Sequence, residues 1–151
     1  MDFATTDLCD EFADRLQIPA PVFKSFGGKA AFCGPIATLK VFEDNALVRS
    51  TLSTPGAGKV LVVDGGGSLR CALVGDQLAA LAIQNNWSGV VVFGSIRYSA
   101  VVKEMAVGLV ALSKGTGEAD IAVTFAGVTF KPGAYIYADA DGIIVADQRL
   151  K

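Results

Sequence analysis

Two short segments of the chain carry groups that together could bind a small anion. Gly75, Asp76, Gln77 and Leu78 open a segment with helical periodicity, and the first backbone amides of a helix have no intrahelical acceptor and attract carboxylate or phosphate. Arg97 follows the next apolar segment, and an arginine can clamp a carboxylate through two parallel hydrogen bonds. These groups predict a binding site for a small acid such as a 2-oxo acid, with Asp76 as the carboxylate within the site.

Simpler structural interpretations of the same regions stay open. Asp76 could act only as the cap of its helix, and Arg97 could act only as the partner of a neighbouring carboxylate. The Gly65-Gly66-Gly67-Ser68 run is typical of a turn after a strand. The run from Asp139 to Gly142 resembles part of a calcium loop but lacks the remaining ligands, so it predicts a plain turn.

A βαβ unit is the element that must position the candidate site. The segments 60–63 and 90–93 are short and continuously apolar, and between them residues 76–86 have the pattern of a helix after which Gly89 is expected to supply a positive φ. This order predicts two parallel strands buried on both faces. Ligands bind beyond the carboxyl ends of such strands, so we expect the loops 65–68, 75–78 and 94–97 to meet there.

The remaining segments complete a mixed α/β domain. A first helix is predicted over Thr5–Leu16, a strand over Ala30–Phe42 with a bend or bulge at Gly34-Pro35, and a second helix after Asp44 or Asn45. Further predicted elements are a helix opening the segment Val101–Leu112 and strands at Ile121–Phe125, Val128–Phe130, Tyr135–Ala138 and Ile143–Val145. The sequence therefore predicts a single domain over residues 1–151, with a parallel βαβ core and an antiparallel C-terminal β layer.

The composition narrows the possible chemistry. The 151 residues include no histidine, which excludes a Ser-His-Asp triad, a Cys-His dyad and an imidazole-ligated metal. Any metal would need oxygen ligands and would resemble Mg²⁺ or Mn²⁺. Cys9, Cys33 and Cys71 are widely spaced, which predicts reduced thiols in the cytoplasm.

Charge and hydropathy limit the possible partners. The net charge is −2, the pI is about 5.0 and no window holds a Lys/Arg cluster, which argues against direct binding of nucleic acid. No apolar run reaches the ~18 residues that a membrane-spanning helix needs, and the first residues lack the pattern of a signal peptide. A hydrophobic content of 52% and a mean hydropathy of +0.47 predict an apolar interface in a homo-oligomer.

Several motifs of the chain resemble those of RraA-like proteins, which group with the 4-hydroxy-4-methyl-2-oxoglutarate/4-carboxy-4-hydroxy-2-oxoadipate aldolases. The resemblance covers nearly the whole chain in the same motif order. Its motifs are Phe42-Glu43-Asp44-Asn45, Val60–Gly67 (VLVVDGGG), Ser68-Leu69-Arg70, Ala72–Asp76 (ALVGD) and Tyr137–Val145 (YADADGIIV). It implies a swivelling β/β/α-type domain that assembles as a homotrimer, sometimes paired into a hexamer, with active sites between subunits.

The resemblance also implies an activity and a role for each site residue. Family enzymes use a divalent metal, Mg²⁺ or Mn²⁺, to cleave pyruvate-containing aldols, and they decarboxylate oxaloacetate through the same pyruvate enolate. Their signature is an Asp, twenty residues, then Arg-Asp, and Asp76 and Arg97 have that spacing. By this resemblance, the amides of Gly75 to Leu78 hold the pyruvate carboxylate, Arg97 binds the pyruvate oxygens and Asp76 holds a metal-bound water.

The chain departs from the family pattern at two places. Tyr98 stands where the aldolases have the Asp that binds the metal directly. A protonated phenol is a poor ligand for a hard dication, which prefers carboxylates, so this change should weaken metal binding. The loop at Leu112–Gly115 is shorter than in typical relatives.

The resemblance leaves a second functional hypothesis. RraA itself is a trimeric protein that binds and inhibits the endoribonuclease RNase E, and some regulators of this kind lack the metal-binding Asp. Tyr98 therefore makes a non-catalytic protein partner the alternative to an aldolase reaction on a pyruvate-like acid.

Overall fold

The computed structural model describes residues 3–111 and 118–150. The α-helices are α1 (Thr5–Phe12), α2 (Ala46–Leu52), α3 (Asp76–Gln84) and α4 (Ser99–Val102), and a 3-10 turn spans Ala13–Arg15. The strands are β1 (Leu16–Gln17), β2 (Phe32–Lys40), β3 (Val60–Asp64), β4 (Ala72–Val74), β5 (Gly89–Phe93), β6 (Ser95–Ile96), β7 (Gly108–Val110), β8 (Glu118–Ala119), β9 (Val123–Phe125), β10 (Val128–Phe130), β11 (Tyr135–Ala138) and β12 (Ile143–Ala146).

One mixed sheet forms the centre of the fold. Its strand order is β1-β12-β11-β2-β3-β5-β7, and β8 pairs with β2 beside this path. The strands β2, β3, β5 and β7 run parallel, while β11 is antiparallel to both β2 and β12. The predicted α/β class with a parallel βαβ core is confirmed.

The central strands are covered on both faces, which explains their unbroken apolar sequence. Every residue of β3 is buried. Leu61 packs in the cluster that contains Leu78 of α3. Its neighbour Val62 points to the other face and packs in the cluster that contains Phe130 of the β9–β10 hairpin. Because neighbouring residues of a strand alternate between faces, the helices and the hairpin each receive every second side chain.

The predicted unit is present as β3, α3 and β5. The two strands are parallel, with Val60 opposite Gly89. The helix ends at Gln84, two residues earlier than predicted, and the residue with positive φ that follows it is Asn86 (φ 58°) rather than Gly89. The expectation for Gly89 was therefore wrong, because this residue is already the first residue of β5.

The segment Val101–Leu112 differs most from its prediction. Only one helical turn forms, at Ser99–Val102, and β7 then adds a further parallel strand beside β5. The reason is tertiary: Gly89 and Gly108 lie opposite each other in the sheet, and the ring of Phe32 occupies the space where a Cβ on either glycine would lie. The glycine at position 108 accommodates this ring rather than weakening a helix.

Two smaller predictions also differ from the structure. The first helix ends at Phe12, and Leu16 pairs with Ala146 as part of β1. The strand β2 pairs regularly with β11 through Gly34-Pro35, without a bulge, and Gly34 is needed because a Cβ there would overlap the carbonyl oxygen of Gly58.

The C-terminal strands do not form a separate layer as a group. The strands β11 and β12 extend the main sheet, while β9 and β10 pair only with each other. The shortened loop predicted at Leu112–Gly115 lies outside the described residues. Within the described part of the chain, no helix is long and apolar enough to cross a membrane.

The turn at Asp139–Gly142 joins the C-terminal part of the sheet to the first helix. The Asp139 carboxylate accepts hydrogen bonds from the amide and the hydroxyl of Thr5, both at 2.7 Å. It also accepts the amides of Asp141 at 2.9 Å and Gly142 at 3.2 Å. Burial raises the pKa of Asp139, but these four hydrogen bonds outweigh burial and hold the pKa below its ordinary value. The Asp139 carboxylate thus stabilises the start of helix α1 and its own turn, as expected for a plain turn.

We predict that Gly108→Ala destabilises the protein by about 1–3 kcal/mol, the usual cost of overpacking a filled core. The new methyl group would collide with the Phe32 ring. Urea unfolding followed by circular dichroism measures the effect. Gly142→Ala is the control, because a Cβ at Gly142 meets no atom within 4 Å, and its unfolding midpoint should match that of the wild type. Equal midpoints for Gly108→Ala and Gly142→Ala would contradict this account of the core.

We predict a pH-dependent difference in stability between the wild type and Asp139→Asn. Because the pKa of Asp139 is lowered on folding, the carboxylate contributes stability fully above the unfolded pKa of about 3.9. That contribution is lost as the pH falls through the lower folded pKa. The gap between the two proteins in thermal unfolding should therefore be widest at pH 6 and narrow below about pH 4. A gap that stays constant from pH 6 to pH 3 would show that the charge of Asp139 is not stabilising.

Candidate active site

A short pair of parallel strands, β4 and β6, brings the two ends of the candidate site together. The register pairs Ala72 with Ser95 and Val74 with Ile96, with an irregularity between the two pairs. The amide of Arg97 then donates a hydrogen bond to the carbonyl oxygen of Val74 at 3.0 Å. The chain enters α3 directly after β4 and reaches Arg97 directly after β6, so the helix start and the arginine emerge side by side.

The N-terminus of α3 presents its amides without a side-chain cap. Gly75 is the N-cap residue in an extended conformation, and no side chain caps the helix. The amide of Ala79 donates to the carbonyl oxygen of Gly75 at 2.9 Å as the first intrahelical hydrogen bond, so the amides of residues 76–78 have no acceptor within the helix. The interpretation of Asp76 as a helix cap was therefore wrong, and its carboxylate lies half-exposed at the cleft.

The side chain of Arg97 lies against this helix start. Its Cγ is 3.4 Å and its Nε is 3.7 Å from the position that a Cβ on Gly75 would occupy. The guanidinium carbon also stands 5.3 Å from the ring centroid of Tyr98, within the range of a cation–π contact. Gly75 has no side chain, so the guanidinium can approach the free amides closely.

Tyr98 forms part of the same cleft in an unusual backbone conformation. Its φ is 56° and its ψ is 37°, the left-handed region. The side chain is 56% exposed, and the ring atom Cδ2 is 3.4 Å from the position of a Cβ on Gly75. Position 98, for which the resemblance implies a metal-binding Asp, thus faces the helix start with a phenol ring.

Asn45, just before α2, and Arg49, within it, complete the cleft and were missed as site residues from the sequence. Asn45 was considered only as a cap, but its side chain makes no cap hydrogen bond, and the carboxylate of Asp44 accepts the amide of Ala46 at 2.7 Å instead. Arg49 Nη2 donates to Gln77 Oε1 at 3.3 Å. The Phe42–Asn45 motif pointed to this region, but only the packing of α2 against α3 places Arg49 at the site.

The cleft itself is small and polar. Its volume is about 190 Å³, and its lining includes Asn45, Arg49, Ala72, Gly75, Asp76, Gln77, Leu78, Arg97 and Tyr98. Pockets for drug-sized ligands usually exceed about 300 Å³, so this volume suits a smaller molecule. With two guanidinium groups, free amides and a single carboxylate, the lining favours an anion.

The other two loops that we expected at the site contribute little beyond Arg97. The residues 94–96 line a different cavity of about 370 Å³, together with Leu69. The run 65–68 is a turn in which the amide of Gly66 donates to Asp64 Oδ1 at 2.9 Å, and it does not line the small cleft. The loops 75–78 and 94–97 therefore meet at the cleft as expected, the second through Arg97, whereas 65–68 does not line it and forms the turn of the simpler interpretation.

The cleft lacks the ligand set of a resident divalent metal. In the described residues 3–111 and 118–150, no group of three or more His, Cys, Asp or Glu side chains could hold a metal ion. The cleft lining contributes one carboxylate, Asp76, beside the phenol of Tyr98. Mg²⁺ usually keeps several waters and binds through one or two carboxylates, and the described part of the cleft offers it a single carboxylate, so these residues do not fit a tightly held metal.

The sequence as a whole matches known proteins over nearly its full length. A family model described as RraA-like, Aldolase/RraA, matches residues 5–145. A relative from Aromatoleum aromaticum, which carries 4-hydroxy-4-methyl-2-oxoglutarate aldolase as a provisional name, is 58% identical over 158 positions that cover 99% of each chain. Because this aligned length exceeds 151 residues, the relative contains residues that the present chain lacks.

Solved structures of similar proteins share the fold closely. A Thermus thermophilus protein named as the RNA-processing inhibitor RraA is 44% identical with a TM-score of 0.93, covering 100% of this chain and 96% of that one. A Geobacillus kaustophilus protein, solved under the name of an S-adenosylmethionine:2-dimethylmenaquinone methyltransferase, is 47% identical with a TM-score of 0.91, covering 98% and 97%. These names describe three different activities on one fold. The match of the family model and the level of identity show that this chain belongs to the RraA-like family.

Proposed function

We propose that the cleft binds the pyruvate end of a small 2-oxo acid. The amides of residues 75–78 hold the carboxylate, and Arg97 binds the carboxylate and the 2-oxo oxygen. The observation that supports this proposal best is the 3.7 Å distance between Arg97 Nε and the Cβ position of Gly75, because a guanidinium near amides that have no acceptor in the helix favours a bound carboxylate.

The reaction that fits this binding mode is aldol cleavage of 4-hydroxy-4-methyl-2-oxoglutarate, with decarboxylation of oxaloacetate as a side activity. Cleavage breaks the C3–C4 bond: the C4 hydroxyl loses its proton to solvent and C4 becomes the carbonyl of one pyruvate. The bonding electrons pass to the other half as a pyruvate enolate, which then takes up a proton from solvent at C3. Decarboxylation yields the same enolate and carbon dioxide. Arg97 stabilises the negative charge that develops on the 2-oxo oxygen, an effect that is strongest for a preorganised cation in a cleft.

The weak point of this chain as an aldolase is metal binding. Family enzymes use Mg²⁺ or Mn²⁺ as a Lewis acid at the enolate oxygen. Here Asp76 would reach a metal only through a bound water, and Tyr98 supplies no charge, so the residues do not hold the ion firmly. We therefore propose an aldolase-type site whose acid-binding half is intact and whose turnover is low.

The proposed working form is a cytoplasmic homotrimer or hexamer in which residues 1–151 act as one domain. Three exposed apolar side chains support an interface between subunits: Val22 (47% exposed), Leu69 (72%) and Val101 (50%). Val22 and Leu69 line the larger cavity beside β6. Such exposed apolar groups are typical of protein contacts, and a neighbouring subunit could complete the cleft.

We predict that Tyr98→Asp increases metal-dependent turnover. The substitution restores a carboxylate at a position whose left-handed backbone suits Asp better than Tyr. Pyruvate release from 4-hydroxy-4-methyl-2-oxoglutarate, and from oxaloacetate, should rise at least about tenfold in kcat/KM with Mn²⁺, corresponding to about 1.4 kcal/mol of transition-state stabilisation. Titration calorimetry with Mn²⁺ should show a parallel gain in affinity.

Two variants serve as controls for this experiment. Tyr98→Asn fits the same backbone but adds no charge, so it should not increase Mn²⁺ affinity. Arg97→Gln should abolish both pyruvate binding and turnover, in the wild type and in the Tyr98→Asp background. If neither the wild type nor Tyr98→Asp releases pyruvate with Mg²⁺ or Mn²⁺, the aldolase proposal is wrong.

A second candidate function is regulation of RNase E without catalysis. Tyr98 in place of a metal ligand favours it, and so does the 44% identity to the Thermus protein named as an RNA-processing inhibitor. We predict that the chain then binds immobilised RNase E with a micromolar Kd in surface plasmon resonance and slows its cleavage of RNA. Arg97→Gln should leave that binding unchanged, since an acid-binding residue has no role in it. Absence of binding at micromolar protein would eliminate this candidate.

A further inference from the structure

A second arginine lies in the same small cleft as Arg97 and has no role in the binding of the pyruvate end. Arg49 belongs to α2, and its side chain is exposed at the cleft. Its Nη2 donates a hydrogen bond to Gln77 Oε1 at 3.3 Å. This contact joins α2 to the first turn of α3, so the guanidinium is held at the helix start from the side of α2.

The charge of Arg49 is not neutralised by its neighbour. Within residues 3–111 and 118–150, ion pairs form between Arg70 and Glu43 at 2.9 Å and between Lys131 and Asp147 at 3.6 Å. Arg49 instead contacts a neutral amide in that part of the chain. Glutamine accepts a hydrogen bond without carrying a charge, so it can orient the guanidinium and leave its positive charge available to a ligand.

Arg49 and Arg97 approach the helix start at different points. Arg97 contacts Gly75, whereas Arg49 contacts Gln77, on the other side of Asp76 in the sequence. The carboxyl carbons of an extended five-carbon diacid lie about 5 Å apart, given C–C bonds of about 1.5 Å. A ligand of this length could therefore place one carboxylate at each guanidinium within a single cleft of about 190 Å³.

We infer that Arg49 binds the second carboxylate of a dicarboxylic 2-oxo acid and so selects such acids over monocarboxylic ones. The inference rests on the proposed function, which places the first carboxylate at the amides of α3 and Arg97. Arg49 would then determine specificity for the distal end of the ligand, because a guanidinium can bind the second carboxylate through two parallel hydrogen bonds. An isolated monocarboxylate such as pyruvate would not use this contact.

The test compares two unreactive acids of equal chain length. 2-Oxoglutarate has a carboxylate at C5, and 2-oxopentanoate has a methyl group there. Titration calorimetry in buffer with Mg²⁺ measures the Kd of each acid for the wild type, Arg49→Gln and Arg49→Lys. Arg49→Gln should raise the Kd for 2-oxoglutarate at least about tenfold and change the Kd for 2-oxopentanoate less than about twofold. Arg49→Lys should give an intermediate Kd for 2-oxoglutarate, because it keeps the charge but loses the bidentate geometry.

The matched control is Arg15→Gln, which removes a guanidinium that lies over the Phe12 ring, away from the cleft. It should leave both Kd values unchanged. Thermal unfolding checks that Arg49→Gln is folded, and salt dependence gives a second measurement: added salt should weaken 2-oxoglutarate binding more steeply in the wild type than in Arg49→Gln.

The outcomes separate this inference from the proposed function. If Arg49→Gln changes the two Kd values equally, or changes neither, Arg49 does not recognise the distal carboxylate. The proposed site for the first carboxylate would still stand after that failure, provided that the wild type binds 2-oxopentanoate and Arg97→Gln abolishes this binding. If the wild type binds neither acid, the proposed function itself is overturned, and the role of Arg49 with it.

Discussion

The candidate site depends on one local constraint, the attachment of Arg97 to the end of β4. The hydrogen bond from the Arg97 amide to the carbonyl oxygen of Val74 fixes two chain segments at the point where each leaves its strand. One segment turns into α3 and exposes its first amides, and the other presents a guanidinium. Because two positively polarised groups lie next to each other, the arrangement favours a ligand of negative charge.

The sequence predicted the central fold well because burial on both faces leaves a clear pattern. β3 and β5 are continuous apolar runs, and the helix between them has apolar residues at helical spacing. The prediction of 101–112 failed for the opposite reason. Gly108 lies in β7, and the ring of Phe32, far away in sequence, occupies the space that a side chain at this position would fill. A close approach of this kind leaves no periodic signal along the chain, so propensity alone assigned the segment to a helix.

The candidate site was predictable only where its residues lie beside a strand or helix end. Asp76 and Arg97 follow β4 and β6, and the spacing between them was readable from the sequence. Arg49 lies in the middle of a helix, where an arginine is usually a solvated surface residue. Its place at the cleft follows from the packing of α2 against α3 and from the hydrogen bond to Gln77. Residues that reach a site from a neighbouring helix require the tertiary structure.

The two halves of the site depend on different parts of the molecule. In the function we propose, binding of the acid would use backbone amides and a guanidinium whose position the β4–β6 pair determines. Binding of a metal would depend on the side chain at position 98. There the backbone is held in the left-handed region, because the carbonyl oxygen of Tyr98 accepts the amides of Val101 and Val102, both at 3.0 Å. That conformation costs a residue with a Cβ about 1–2 kcal/mol, yet the fold retains it with a tyrosine. The backbone thus presents the side chain of residue 98 to the cleft, and under the function we propose the identity of that side chain sets the affinity for a metal beside the acid.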